Sequence, residues 1–241
     1  LRNYCGENYM REIDVENWEE FESQLKAERL RLDPEQFRPS LFRGERHFNW
    51  PLRTTLERYK KERMTVEDYY RRISRIKPEI EVYTGTGWVM PEYQEILRLL
   101  EGYDSFSLAQ SFRKMPAYEY MAYLRHYGFP SPLLDWTASP HIAAYFAFSK
   151  AEEGDHVAIY MLSERIMQTH SNDVPRTVHL GPYVKTHRRH FLQQCSYTMR
   201  LFFERNVWQF WNYDAPPALE GIQENFDLLK FKISSKEKSK V

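Results

Sequence analysis

Fifteen residues, Leu133 to Ala147 (Leu-Leu-Asp-Trp-Thr-Ala-Ser-Pro-His-Ile-Ala-Ala-Tyr-Phe-Ala), constrain the fold of this chain more than any other stretch. They read as a short apolar strand, a hydroxyl-bearing turn and a helix. Ser139 suits the N-cap, because its side-chain oxygen can accept from the unpaired amides of the first turn, and Pro140 suits the first helical position, where no amide hydrogen is needed. Ile142, Ala143, Phe146 and Ala147 recur at helical spacing, so this helix is expected to press closely on an apolar surface. A strand end feeding a helix N-terminus leaves free amides that suit an anionic or polar ligand. On periodicity alone, a core strand–helix joint with ordinary capping explains the stretch better than a ligand site does.

A second short segment lies upstream, Ser40-Leu41-Phe42-Arg43-Gly44-Glu45. Arg43 carries a permanent charge on a planar fork suited to phosphate, and Gly44, lacking a Cβ, lets a ligand or another backbone approach closely. The alternative is a buried Arg43 paired to a carboxylate, with Asp135 the expected partner. The Phe-Arg-Gly triplet, His126-Tyr127-Gly128, Leu133 to Thr137 and Gln193-Gln194 form a specific combination in one order. Together they resemble the FRG domain family over about residues 12 to 204.

Arg-Gly on one strand, with Thr137-x-Ser139 opening a helix from another, is also similar to the ADP-ribosyltransferase pattern. The resemblance implies an ADP-ribosyltransferase-like fold and NAD as substrate, transferring ADP-ribose to a nucleic-acid or protein acceptor, or to water as an NAD glycohydrolase. On that resemblance Arg43 holds the phosphates or ribose of NAD, and Gly44 offers backbone groups to the nicotinamide carboxamide. Thr137 and Ser139 line the nicotinamide ribose, and Tyr145 stacks on the ring. Cleaving the nicotinamide–ribose bond builds positive charge on the ribose, so polar groups must be aimed there. The sequence departs from the pattern at its third element, where a Glu is expected and Gln194 stands. Glu204, ten residues on, would lie about 33 Å away along an extended strand. Asp135 is the first carboxylate to consider in its place, with Glu45 and Glu204 behind it, and Gln194 is assigned the orientation of the ribose. A catalytically silent module, binding a nucleotide or a partner through the same pocket, is the second reading.

Composition bounds these readings. Hydrophobic residues make up 42% and aromatics 16% of 241 residues, enough for a sizeable core without disulfides. The formal net charge is zero, which argues against a nonspecific nucleic-acid or membrane binder. Cys5 and Cys195 give neither a disulfide framework nor a zinc spacing, which suits a reducing cytoplasm. No apolar run approaches the roughly 20 residues of a membrane span, and Arg2, Glu7, Arg11 and Glu12 interrupt any leader. His187 and His190 share a helical spacing but lack further ligands, so no metal is expected. His126 reads either as a general acid or base or as a cap on its own helix. From Arg58 to Lys77, eight basic residues face three acidic ones with Tyr59, Tyr69 and Tyr70 interleaved; a solvated helix face is the default for such a segment, and contact with a nucleic-acid or protein acceptor is the alternative.

Periodicity predicts helices over 14–27, 54–77 (ended by Pro78), 91–101 and 116–127 (ended by Gly128), and a loop at 84–87. It predicts strands over 40–43, 156–162, 193–203 and 226–233. The expected class is α+β, a helical N-terminal half packed on a mainly antiparallel core. A single domain is expected over 1–233, with a Lys-rich frayed tail at 234–241. Arg43, Gly44, Asp135, Thr137 and Ser139 are expected to converge on one pocket.

Overall fold

The computed structural model describes residues 10–35, 40–60, 62–92, 94–95, 115–164, 175–181, 194–213 and 226–240. The helix expected over 91–101 and the pair His187 and His190 fall largely or wholly outside them. The strands are β1 (Met10–Asp14), β2 (Leu41–Glu45), β3 (Leu134–Thr137), β4 (His156–Glu164), β5 (Arg176–His179), β6 (Cys195–Glu204), β7 (Val207–Phe210) and β8 (Phe226–Ser234). The helices are α1 (Trp18–Leu32), α2 (Thr55–Tyr59), α3 (Val66–Thr84), α4 (Tyr118–His126) and α5 (Pro140–Phe148), followed by a 3-10 helix over Ser235–Lys240. All eight strands join one sheet in the order β1-β8-β4-β2-β3-β6-β5, with β7 on the side of β6. Among the described residues only β1 and β8 run parallel; the other ladders are antiparallel. The class is mixed and compatible with α+β. None of the described helices is long and apolar enough to cross a membrane.

Strand alternation sends successive side chains to opposite faces. On one face Phe42, Ile159, Met161 and Phe231 pack under α1 and α5, while Tyr197, Met199 and Leu201 pack under α3 and α4. On the other, Leu41, Trp136, Tyr160 and Leu228 surround Leu52 and Tyr213. There the Trp136 indole donates to Thr198 Oγ1 (2.7 Å), which shares a 2.5 Å hydrogen bond with the Tyr213 hydroxyl. The sheet coils about this second core: Glu164 on β4 and His179 on β5, separated by three strands, come within 3.6 Å.

Several elements differ from the sequence reading for identifiable reasons. α1 starts at Trp18 because Asn17 caps it, accepting from Glu20 N (2.9 Å). The run over 54–77 is two helices, each with its own threonine cap: Thr54, in a capping box with Glu57, and Thr65, accepting from Asp68 N. Pro78 lies inside α3 instead of ending it. Ile73, Ile76 and Ile80 pack on the core across it, Lys77 pairs with Glu81 over one turn (2.8 Å), and the helix ends at Gly85 in the left-handed conformation. The segment after β8 is not frayed. Glu237 accepts from the Trp18 amide (2.9 Å) and Lys240 reaches Glu19 (3.0 Å), which ties Ser235–Lys240 to α1. β1, β5 and β7 are too short for periodicity to reveal; their partners define them.

α5 buries Ala143, Ala144, Ala147 and Phe148, whereas Phe146 is exposed. The buried stripe is thus rotated from the expected one, and Gly44 is the reason. A Cβ at 44 would stand 1.9 Å from Ala143 O and 2.8 Å from Ala147 N, so helix and strand backbones touch where only small residues fit. Gly44→Ala is expected to force the two apart and destabilise the protein by roughly 3 kcal/mol or prevent folding. Chemical denaturation should show a lower midpoint with an unchanged slope.

Candidate functional site

β2 and β3 are joined by a single registered pair, Phe42 with Thr137, while β3 continues along β6 for four residues and β2 along β4 for five. Beyond that pair the two strands part, and the charged side chains of both motifs gather around the parting. Arg43 and Glu45 alternate with Phe42 and Gly44, so they share the face of Leu41. Arg43 donates through Nε (3.0 Å) and NH2 (2.7 Å) to Glu45 Oε1, and through NH1 to the backbone oxygen of Asp135 (3.0 Å). Both side chains are largely buried.

Asp135 is therefore not the carboxylate partner of Arg43; Glu45 is, because residues i and i+2 on a strand share a face. The Asp135 side chain points to the opposite face, where Arg125 from α4 holds it in a fork: Nε donates to Oδ1 and NH2 to Oδ2 (2.5 Å). Arg125 NH1 also donates to Thr55 Oγ1 (3.2 Å), which accepts from Ser131 N (2.9 Å). Burial raises the pKa of Asp135, but the charge and hydrogen bonds of Arg125 outweigh it and leave the carboxyl below its ordinary 3.8. Burial lowers the pKa of Arg125, and Asp135 more than restores it. The Cys195 thiol is pushed up to about 12 by burial and then by Asp135.

Thr137 and Cys195 pair across β3 and β6, and the Ala138 amide donates to Gln194 O (3.3 Å), so Thr137, Ser139 and Gln194 meet at one end of the sheet. Gln194 is exposed, with φ at +48°. The hydroxyls of the motif are occupied locally: Thr137 Oγ1 accepts from Ser139 N (3.2 Å), and Ser139 Oγ caps α5 at Ile142 N (3.3 Å). Tyr145 is 65% exposed on the side of α5 opposite Ala143 and Ala147, edge-on to Phe146. Glu204 ends β6 at its far end, paired with Val207 of β7. The five residues expected to share one pocket instead divide between the two faces of the sheet. A cavity of about 350 Å³ lies elsewhere, between α1 and the start of α5, lined by Trp18, Phe21, Leu25 and His141 among others.

Arg125 and Thr55 were not legible as site residues. The one signal was the position of Arg125 directly before His126-Tyr127-Gly128, in the last turn of a helix. The His126 Nε2 meets the Tyr197 hydroxyl on β6 at 3.0 Å. In the basic stretch Arg58 to Lys77, Tyr69 and Tyr70 are core residues. Arg71 pairs with Glu67 (2.7 Å) and Asp68 (3.0 Å) and Lys77 with Glu81, which leaves Arg72 and Arg75 as its exposed cations on α3 without a described ion pair.

Asp135→Asn is expected to cost about 2 kcal/mol, less than for a fully buried ion pair because the carboxylate is 39% exposed. A lowered carboxyl pKa means that the folded protein binds this proton more weakly than the unfolded chain does. The stabilisation is therefore present above the ordinary 3.8 and lost as pH falls through the folded value. Denaturation of wild type and variant at a series of pH values should show a constant difference from neutrality to about pH 5, shrinking below it.

The FRG domain family matches residues 38–156, a segment that holds Arg43, Gly44, Arg125, Asp135, Thr137, Ser139 and Tyr145 but not Gln194. No curated protein and no solved structure matches the chain.

Proposed function

Through residues 38–156 the chain belongs to the FRG domain family, and from that premise we propose that it binds NAD at the parting of β2 and β3 and transfers its ADP-ribose to an acceptor. The observation that carries this reading is the meeting of two guanidiniums at Asp135. Arg43 reaches its backbone and Arg125 its carboxylate, beside the Thr137–Ser139 entry to α5. A dinucleotide needs fixed cations for its diphosphate and polar groups at the ribose whose bond breaks. In this reading Arg43 holds the diphosphate, the start of α5 and Gln194 orient the nicotinamide ribose, and Asp135 supplies negative charge as the ribose becomes cationic. Water in place of the acceptor makes the same site an NAD glycohydrolase. The acceptor, nucleic acid or protein, approaches over α3, where Arg72 and Arg75 are exposed.

One observation favours a second reading, a catalytically silent nucleotide- or partner-binding module. Arg125 occupies both oxygens of Asp135, and Glu45 is bound to Arg43, so neither carboxylate faces an open ribose position.

Calorimetry with millimolar NAD distinguishes these readings from none. Binding is expected, and Arg43→Lys should weaken it about tenfold, since an ammonium cannot reproduce the fork. Absence of heat from the folded wild type would overturn the transferase reading and leave the silent module only with a ligand other than NAD. If nicotinamide is released, Gln194→Ala should lower turnover more than binding, and Gln194→Glu should raise it. Binding without release by wild type or Gln194→Glu, with candidate acceptors present, leaves the silent module.

A further inference from the structure

The grip of Arg125 on Asp135 has the geometry of a ligand site. A guanidinium fork takes two oxygens of a phosphate in the same way as two oxygens of a carboxylate. The fork is also held independently of Asp135, since Arg125 NH1 donates to Thr55 Oγ1, and Thr55 Oγ1 in turn accepts from Ser131 N and donates to Ser131 O (3.3 Å). The Arg125 side chain is 11% exposed while Asp135 is 39% exposed, so the carboxylate lies between the guanidinium and solvent. Arg43 closes on the same residue from the other face through the Asp135 carbonyl. Arg58, exposed on α2, donates through NH2 to the Arg53 carbonyl (2.9 Å) and lies within the field of both Arg43 and Arg125. Arg125 thus holds the partly exposed carboxylate of Asp135 and Arg43 its carbonyl, with Arg58 in the field of both guanidiniums.

We propose that the Arg125 fork is a diphosphate seat, for a ligand of the nucleoside diphosphate class, and that Asp135 is its internal occupant when no ligand is bound. A diphosphate carries more negative charge than a carboxylate and can engage Arg125, Arg58 and Arg43 together, so it displaces Asp135 by competition for the same donors. The displaced carboxylate stays on β3, two residues from Thr137. The inference rests on the nucleotide reading above for the consequence of that release: it gives the nicotinamide ribose the carboxylate that Gln194 cannot supply. Ligand binding and the freeing of Asp135 become one event, so the anion is exposed only when the dinucleotide is in place.

The test is calorimetry with inorganic pyrophosphate, ADP and NAD on wild type, Asp135→Asn and Arg58→Gln, with circular dichroism to verify folding. Removing the internal competitor should make Asp135→Asn bind pyrophosphate and ADP at least tenfold more tightly than wild type. A folded Asp135→Asn that binds them no more tightly overturns the seat. Should that variant not fold, Arg58→Gln decides, because its position is exposed. A fivefold or greater loss of pyrophosphate affinity upholds the seat, and unchanged affinity overturns it. NAD separates this inference from the reading beneath it. NAD affinity untouched by either substitution removes the seat and leaves the NAD site, whereas tightened pyrophosphate and ADP binding with no NAD binding keeps the seat and removes the NAD reading.

Discussion

At Gly44 the backbones of β2 and α5 meet with no side chain between them, and the arrangement of both motifs depends on that contact. With Ala143 and Ala147 seated directly on the strand, α5 lies flat against the middle of the sheet. Its first turn is thereby fixed beside the end of β3, and β2 is held at the sheet's centre between β3 and β4. The same contact sets the direction of every other side chain on β2. With Gly44 and Phe42 turned towards the helix, Arg43 and Glu45 must face the other way and must meet each other.

The charges of the site follow from this alternation and from the parting of two strands. Where β2 and β3 separate, the Asp135 carbonyl is within reach of Arg43, while its side chain, on the opposite face, meets α4. Burying a guanidinium or a carboxylate alone is costly, so each is matched: Arg43 with Glu45, Arg125 with Asp135. The result is a nearly neutral polar cluster in which the groups able to bind an anion are already engaged by the protein's own carboxylates. Any ligand of this cluster must compete for donors, and affinity and exposure of Asp135 are coupled through that competition.

Much of the local architecture was legible in the sequence. The Ser139-Pro140 helix start and the Gly128 stop after α4 rest on interactions within a few residues, and the strands β3, β4, β6 and β8, though paired with distant partners, are marked by local apolar, β-branched and aromatic content that composition and periodicity encode directly. The errors arose where distant contacts overrode local preference. Pro78 is carried through α3 by core packing on both sides of it, Ser235–Lys240 is ordered by Trp18 and Glu19 more than 200 residues away, and the buried stripe of α5 is set by a glycine on another strand.

Residue types by themselves determined that Arg43 would be charged and in need of a partner, that Gly44 marked a close approach, and that a helix would begin at Pro140 behind a serine cap. Which carboxylate each guanidinium met was decided only by the tertiary structure. Arg125 comes to Asp135 from another element, and Thr55 comes to Arg125 across 70 residues, because α2 and α4 pack on the same face of the sheet. Strand alternation assigned Glu45 to Arg43 once the face of β2 was fixed, and that face was fixed by a helix whose approach no local pattern specifies. Short-range chemistry is written in residue identity and spacing, whereas the pairing of buried charges depends on which faces the fold turns towards each other.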